Sequence, residues 1–198
     1  MLRSANPRLQ PVLDRVAAKK EKSRILISID GPCGSGKTTL AQELADMLSA
    51  PVIHMDDFSI PHAQKTPERL RIPGGNADVE RFLREVLHPI LRTGRASYRP
   101  YLCHSDAYGE SIPIPESRCY IIEGSYSMMP EIAEHVDVHV FLRITPEEQQ
   151  KRILNRGGEE KLAQFNKRWI PLENAYFAAY HLPDARCICI PGDYVQAL

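Results

Sequence analysis

The sequence has few of the features that mark membrane, secreted or nucleic-acid-binding proteins. Its 198 residues hold 25 Lys and Arg against 25 Asp and Glu, and aromatic residues make up only 7%. A general nucleic-acid or membrane-surface binder would carry a basic excess. No apolar run approaches the roughly 20 residues that cross a bilayer, and the N-terminal segment lacks the apolar core of a secretory signal. We therefore expect a cytoplasmic protein with no nucleic-acid or membrane partner.

The five cysteines do not form the pattern of a disulfide framework or a metal cluster. They are odd in number and scattered along the chain, and they form no CxxC pair. Cys187 and Cys189 alternate within an apolar run, which places both on one face of a predicted strand. Buried free thiols are the expected role.

Strand and helix patterns alternate from end to end of the chain. Apolar, β-branched runs predict strands, and amphipathic or capped segments predict the helices between them. The predicted strands are 24–30, 51–55, 119–123, 136–142 and 185–190, and the predicted helices are 37–48, 77–91 (capped by Asn76), 145–156, 159–165 and 172–180. Strands that are apolar on both faces and alternate with helices indicate a parallel sheet covered on both sides, the α/β class.

The strongest motif is a glycine-rich loop between the first strand and the helix that follows it. Residues 31–38 read GPCGSGKT, a complete GxxxxGK[ST] pattern. The glycines let backbone N–H groups curl around phosphate oxygens, and the helix that begins at Lys37 adds its positive dipole end. Lys37 is expected to reach the β- and γ-phosphates, and Thr38 to ligate Mg²⁺. The motif predicts nucleoside triphosphate binding by Gly31, Cys33, Gly34, Ser35, Gly36, Lys37, Thr38 and Thr39.

Carboxylates end two of the predicted strands. Glu123 ends strand 119–123, and Asp56 and Asp57 follow strand 51–55. Ligands of parallel sheets lie at this edge, so Glu123 is predicted to hold Mg²⁺ together with Thr38, with a solvated boundary residue as the alternative. One of the two aspartates is predicted to orient or deprotonate an attacking hydroxyl, with a pair of turn-forming residues as the alternative.

Arg152 and Arg156 are four residues apart on a predicted helix and share one face. Near a triphosphate they would stabilise the transferring phosphoryl group, and a solvated basic face is the alternative. Gly157 and Gly158 follow directly and suggest the hinge of a closing lid. Residues 166–169 lack the aspartate of an NKxD guanine-reading motif, which disfavours a GTPase.

Together these motifs resemble the uridine kinase, phosphoribulokinase and pantothenate kinase group of P-loop small-molecule kinases, over about residues 24–190. The likeness is densest in the segments MDDF, TPERL, PGGN, YRPY, EGSY and RWIPLE, which begin at Met55, Thr66, Pro73, Tyr98, Glu123 and Arg168. It implies a three-layer α/β/α sandwich around a five-stranded parallel sheet. It also implies ATP and Mg²⁺ as cofactors, and phosphorylation of a hydroxyl on a small acceptor such as uridine or cytidine.

The resemblance further implies roles for individual residues. Asp56 would be the catalytic base, acting with Lys37 and the lid arginines Arg152 and Arg156, while Glu123 would assist Mg²⁺. Asp78, Tyr98 and His104 would contact the acceptor, and Tyr101 is grouped with them because the segment around it concentrates polar and aromatic side chains. Residues 1–22 are expected as an N-terminal helical extension, and 23–198 as the kinase domain, with an acceptor-binding segment at about 56–118 and a lid at about 143–168.

Three positions, in two segments, depart from the pattern of the uridine kinases on the acceptor side. Ser59 and Ile60 replace a Tyr-Arg pair, and Asp106 replaces an arginine. A carboxylate at position 106 predicts a neutral or cationic acceptor rather than a phosphorylated one. The alternative function is a nucleotide-dependent switch or regulatory ATPase without a small-molecule acceptor. The choice between ATP and GTP and the presence of a homo-oligomer stay open.

Overall fold

A computed structural model describes residues 6–192. Residues 1–5 of the predicted N-terminal extension and residues 193–198 of the predicted kinase domain lie outside the described part. The strands are β1 (Ile25–Asp30), β2 (Val52–His54), β3 (Ala96–Tyr98), β4 (Tyr101–Leu102), β5 (Ala107–Tyr108), β6 (Ile112–Ile114), β7 (Cys119–Glu123), β8 (Val138–Arg143) and β9 (Cys187–Pro191). The α-helices are α1 (Gln10–Ala17), α2 (Lys37–Leu48), α3 (Pro67–Arg71), α4 (Val79–Phe82), α5 (His88–Thr93), α6 (Pro130–Ala133), α7 (Pro146–Gln164) and α8 (Ile170–Ala179).

Five strands form the parallel sheet that the sequence predicts, in the order β2-β7-β1-β8-β9. In the centre, Ile29 of β1 pairs with Glu123 of β7 on one side and with Val140 of β8 on the other. The chain leaves β1 toward one edge of the sheet and leaves β7 toward the other. Ligands of such sheets bind where the order reverses, which here is the carboxyl end of β1 and β7.

The two faces of the sheet carry separate hydrophobic layers. Ile25, Ile27 and Ile29 of β1 face α1 and α2, whereas Leu26 faces the layer that contains α4 and α8. This alternation is the two-sided burial of a parallel α/β sheet, and it confirms the predicted sandwich. Helix α1 lies within the N-terminal segment for which the sequence predicts a helix, and its apolar face is buried in the same layer as α2.

The helix predicted over 77–91 begins two residues later than expected, and its cap is different. Asp78, not Asn76, accepts a hydrogen bond from the backbone N–H of Arg81 at 3.1 Å. Residue 77 pairs with Ser59 in an isolated bridge, which keeps it extended. Helix α4 continues through a π-helical turn (Leu83–Leu87) into α5, which ends at Gly94 with φ of 77°.

The segment predicted as a long loop over 56–75 contains short helical turns. Met55–Phe58 and His62–Gln64 are 3₁₀ turns, and α3 follows with Thr66 as its N-cap. These elements are too short to show an apolar period, which is why the pattern did not reveal them.

The two helices predicted at 145–156 and 159–165 flank a break in α7. Gly158 has φ of 73°, outside the helical region. Thr145 caps the start of α7, as predicted, by accepting from the N–H of Glu148 at 3.3 Å. A π-helical turn (Phe165–Trp169) then joins α7 to α8. Within residues 6–192, no helix is both long enough and apolar enough to cross a bilayer.

Candidate functional site

The phosphate loop leaves β1 at Asp30 and enters α2 at Lys37. Gly34 and Gly36 have φ of 78° and 94°, the left-handed region that glycine adopts without strain. A Cβ on Gly31 would lie 2.4 Å from the carbonyl oxygen of Leu142, so only glycine fits there. Lys37 Nζ donates to the carbonyl oxygens of Gly31 at 2.7 Å and Pro32 at 3.1 Å. The ammonium group is therefore held against the loop, where a phosphate would meet it.

Thr38 and Glu123 meet at the carboxyl edge of the sheet. The Thr38 hydroxyl lies 3.3 Å from Glu123 Oε1, and His54 Nδ1 lies 2.5 Å from the same oxygen. The hydrogen bond to Glu123 raises the pKa of His54. Two oxygen ligands beside a phosphate loop suit Mg²⁺, which is usually bound by one or two protein groups together with substrate phosphates. In the described residues no group of three or more His, Cys, Asp or Glu could hold a metal by itself.

The structure separates the two adjacent aspartates. Asp56 opens into the cavity beside the phosphate loop. Asp57 is turned away, because its Oδ2 accepts from the Tyr98 hydroxyl at 2.8 Å and its carbonyl oxygen accepts from Arg81 Nη2 at 2.6 Å. Desolvation in the cleft raises the pKa of Asp56, as do the nearby carboxylates, while Lys37 opposes the rise. A base with a raised pKa takes up a proton more readily.

The cavity that joins these groups has a volume of about 550 Å³. The predicted residues that line it are Cys33, Gly34, Gly36, Lys37, Thr38, Thr39, Asp56, Glu123, Arg152 and Arg156. Gly31 packs against the backbone of Leu142 at the start of the loop, and Ser35 is fully buried within the loop. The phosphate loop and the base predicted from the sequence thus face the same space.

Arg152 and Arg156, the two arginines of the predicted lid, differ in their contacts. Arg152 Nη1 donates to the carbonyl oxygens of Gly34 at 3.2 Å and Gly192 at 2.9 Å, and its Nε donates to Glu148 at 2.9 Å. Arg156 lines the cavity from an exposed position one helical turn further on. Arg152 is therefore part of the phosphate-loop surroundings, and a purely solvated basic face does not describe it.

The residues predicted to contact the acceptor do not line the cavity. Tyr98 is buried and bonded to Asp57, and Asp78 caps α4. The Tyr101 hydroxyl donates to Asp106, and His104 lies on the exposed turn between β4 and β5. The wall beside Asp56 is formed instead by Met55, Phe58, Ser59, Asn76, Ala77, Cys103 and Tyr126.

Asp106 does not line the cavity either, and its carboxylate accepts hydrogen bonds from other residues of the protein. Besides Tyr101, it accepts a hydrogen bond from the N–H of His62 at 3.1 Å. Both partners hold the carboxylate on the hairpin formed by β4 and β5. The Asp106 carboxylate thus already accepts two hydrogen bonds within the protein, and its influence on the charge of the acceptor stays a prediction.

Sequence reasoning missed several residues that line the cavity. Glu173 on α8 is buried and accepts from the N–H of Cys33 and from the hydroxyl of Ser125. Tyr126 has φ of 75°, a left-handed conformation that a bulky side chain rarely adopts and that often marks a functional site. The segments EGSY and RWIPLE contain these residues, but the local pattern carried no indication that the two segments meet.

No family model matches the chain. Among curated proteins, it is similar to uridine-cytidine kinase C of Dictyostelium discoideum, at 23% identity over 140 residues, and to uridine-cytidine kinase D, at 24% over 128 residues. The matches cover 65% and 63% of this chain but 29% and 25% of those proteins. The chain thus matches little more than a quarter of the length of these relatives.

Solved structures match the fold over nearly the whole chain. A possible uridine kinase from Bacillus stearothermophilus superposes with a TM-score of 0.70 at 21% identity, covering 92% of this chain and 97% of that one. The resemblance to the uridine kinase-like P-loop kinases is confirmed. A Silicibacter protein provisionally named a fructose transport system kinase has a TM-score of 0.69 at 25% identity, covering 92% and 95%. Phosphoribulokinase from Rhodobacter spheroides has a TM-score of 0.54 at 17% identity, covering 79% and 65%.

Proposed function

We propose that this chain transfers the γ-phosphate of ATP to a hydroxyl group of a small metabolite. The observation that carries the proposal is that Asp56 and the phosphate loop line the same cavity. A phosphotransferase needs a triphosphate site and a base for the attacking hydroxyl within one enclosure, and little further covalent chemistry from the protein.

The phosphate half of the cavity would bind and polarise the triphosphate. Lys37 and the backbone N–H groups of the loop would contact the β- and γ-phosphates, and Arg152 would stabilise charge on the transferring group. Thr38 and Glu123 would hold Mg²⁺, which when bound neutralises negative charge on the phosphate oxygens. The oxygen-only character of that pair supports magnesium over a softer metal.

On the opposite wall, Asp56 would accept the proton of the attacking hydroxyl. Its raised pKa favours proton uptake, and its neighbour Asp57 is already bonded to Tyr98. This contrast supports Asp56 rather than Asp57 as the base. Met55 and Phe58 pack in the core on either side and keep the turn that carries Asp56 in one conformation.

A nucleoside such as uridine or cytidine is the first acceptor to test. The support is the names of the curated relatives and of one structural neighbour. Identity near 23% limits that support to a candidate, because acceptor specificity changes readily within one fold.

The test is whether ADP release depends on an added acceptor. Purified protein with Mg²⁺ and ATP is assayed with and without uridine, cytidine and a panel of hydroxyl compounds, and ³¹P NMR identifies the phosphorylated product. We expect ADP release to rise only with an acceptor that is itself phosphorylated. Equal ADP release without any acceptor would favour a switch or regulatory ATPase instead, and the Lys37→Ala variant controls for contaminating activity.

A further inference from the structure

Glu173 is a buried carboxylate in the cavity to which the proposed phosphotransfer steps assign no role. Its exposed fraction is 6%. Oε2 accepts from the backbone N–H of Cys33 at 2.9 Å, and Oε1 accepts from Ser125 Oγ at 2.6 Å. These anchors belong to the phosphate loop and to the turn after β7, so the carboxylate is held from two directions. Each oxygen keeps a further lone pair for a ligand.

Glu173 forms no ion pair within the described part of the chain. Among residues 6–192, ion pairs join Arg152 to Glu148 and His54 to Glu123, but none reaches Glu173. Its charge adds to burial in raising the pKa of Cys33, and it also contributes to the raised pKa values of Asp56 and Tyr126. An unpaired carboxylate in a buried site costs free energy. A bound ligand that donates hydrogen bonds would offset that cost.

Charged side chains of both signs line the cavity. Lys37 and Arg152 lie against the phosphate loop, where they donate to the carbonyl oxygens of Gly31 and Gly34. Asp56 and Glu173 are both cavity-lining carboxylates without an ion-pair partner among the described residues. A triphosphate would be attracted to Lys37 and Arg152, whereas the two carboxylates can only accept hydrogen bonds, which suits a neutral or cationic acceptor.

We propose that Glu173 determines acceptor specificity, by accepting a hydrogen bond from a hydroxyl or ammonium group that neighbours the hydroxyl to be phosphorylated. The inference rests on the proposed kinase function. A carboxylate only accepts hydrogen bonds, so it favours neutral polyols and amino alcohols. It repels an acceptor that carries a phosphate or carboxylate at the same place.

The test uses Glu173→Gln, which removes the charge and keeps the shape. The amide oxygen still accepts from the Cys33 N–H, and the amide nitrogen donates to Ser125 Oγ. The acceptor panel includes uridine and the matched compounds glucose (neutral), glucosamine (cationic) and gluconate (anionic). We expect the acceptor KM to rise roughly 10- to 100-fold, most for an ammonium-bearing acceptor, because a hydrogen bond to a charged group is lost. The KM for ATP changes far less, and Glu160→Gln, an exposed carboxylate on α7, changes neither.

Two results would overturn the role of Glu173. One is a Glu173→Gln variant that alters the KM for ATP but not for the acceptor; the other is a panel in which only anionic acceptors turn over. If the wild type shows no acceptor-dependent ADP release, the proposed function itself fails and the inference falls with it, so the two failures are distinguishable.

The single tryptophan, Trp169, lines the cavity and reports nucleotide binding by its fluorescence in each variant. Should Glu173→Gln not fold, Ser125→Ala removes one anchor without changing the charge. We then expect a smaller rise in the acceptor KM with an unchanged KM for ATP. An unchanged acceptor KM in Ser125→Ala would contradict the proposal.

Discussion

The two halves of the cavity are built in different ways. The phosphate half comes from one continuous stretch, in which β1, a glycine-rich turn and the start of α2 follow one another within about a dozen residues. The rest of the lining, which we propose receives the acceptor, brings together side chains from the turn after β2, the residues before α4, the turn after β7 and the start of α8. The first depends on local backbone conformation and the second on how distant segments pack. Changes to the two halves are therefore expected to have different kinetic signatures.

The largest effect on turnover is expected from substitution of Asp56, which faces the phosphate loop across the cavity. Asp56→Asn should lower kcat by roughly 10²- to 10⁴-fold with little change in ATP affinity, because it removes a general base from the acceptor hydroxyl. Asp57→Asn is the matched control, since its carboxylate is bonded to Tyr98 outside the cavity. Steady-state kinetics on both variants measure the contrast. A larger loss in Asp57→Asn would show that the two roles are reversed.

Lys37→Ala tests the phosphate half. Loss of a charge contact to the transferring group should lower kcat by roughly 10²- to 10³-fold and weaken triphosphate binding, while the melting temperature stays close to that of the wild type. Lys151→Ala, at an exposed position on α7, serves as the control and should retain activity. Full activity in a folded Lys37→Ala variant would refute the phosphate-loop assignment.

Asp30 links the two halves, and its charge should make stability depend on pH. It accepts from the N–H groups of Gly31 and Met128 and from the Tyr176 hydroxyl. Burial raises its pKa from 3.8 to about 6, with Lys37 and these hydrogen bonds opposing the rise. The folded state thus binds this proton more tightly than the unfolded chain does. That stabilisation is complete below the unfolded pKa and is lost as pH rises through the folded pKa.

Urea unfolding of the wild type and of Asp30→Asn measures this dependence. The free energy of unfolding of the wild type, relative to the variant, should fall by up to about 3 kcal/mol as pH rises from about 4 to about 7, since one pKa unit corresponds to about 1.4 kcal/mol. Asp14→Asn, at an exposed position, should show no such trend. Parallel pH profiles for the wild type and Asp30→Asn would mean that Asp30 does not titrate in this range.

A smaller effect is expected on the pH dependence of kcat, through the pKa of Asp56. Desolvation and neighbouring carboxylates raise the pKa of Asp56, so the base becomes protonated, and kcat falls, at a higher pH than for an ordinary aspartate. In Glu173→Gln one of those carboxylates is neutral, and the acid limb of the kcat profile should move to lower pH. An acid limb that does not move would separate Glu173 electrostatically from Asp56.

The smallest effect on the KM values is expected from His104 and Asp106, whose side chains do not line the cavity. His104→Ala and Asp106→Asn change the exposed hairpin of β4 and β5, so the KM values for acceptor and ATP should stay near those of the wild type. Surface changes of this kind usually alter stability by less than about 0.5 kcal/mol. A rise in the acceptor KM in His104→Ala would show that this side chain, and not only Cys103 of the same hairpin, reaches the acceptor.

The fold was predictable because its signals are local and repeated. Each central strand is an apolar run, and β7 begins and ends where the pattern places it, from Cys119 to Glu123. Helix boundaries were less predictable where a side chain decides them, as at Asp78, whose carboxylate reaches the N–H of Arg81. The π-helical turn Leu83–Leu87 keeps the apolar positions of the predicted helix 77–91, whereas Phe165–Trp169 has no buried residue and coincides with the gap between the helices predicted at 159–165 and 172–180.

The sequence by itself determined the phosphate loop, because Gly31 to Thr38 carry their conformation and their chemistry in one short segment. It also placed Asp56 and Glu123 at one edge, since the carboxyl ends of parallel strands meet there. Only the tertiary structure decided which aspartate faces the cavity, that Tyr98 and Asp78 serve other contacts, and that Glu173 joins Cys33 to Ser125. Those outcomes depend on side-chain directions set by packing between segments that are distant in the chain, and no local pattern encodes them.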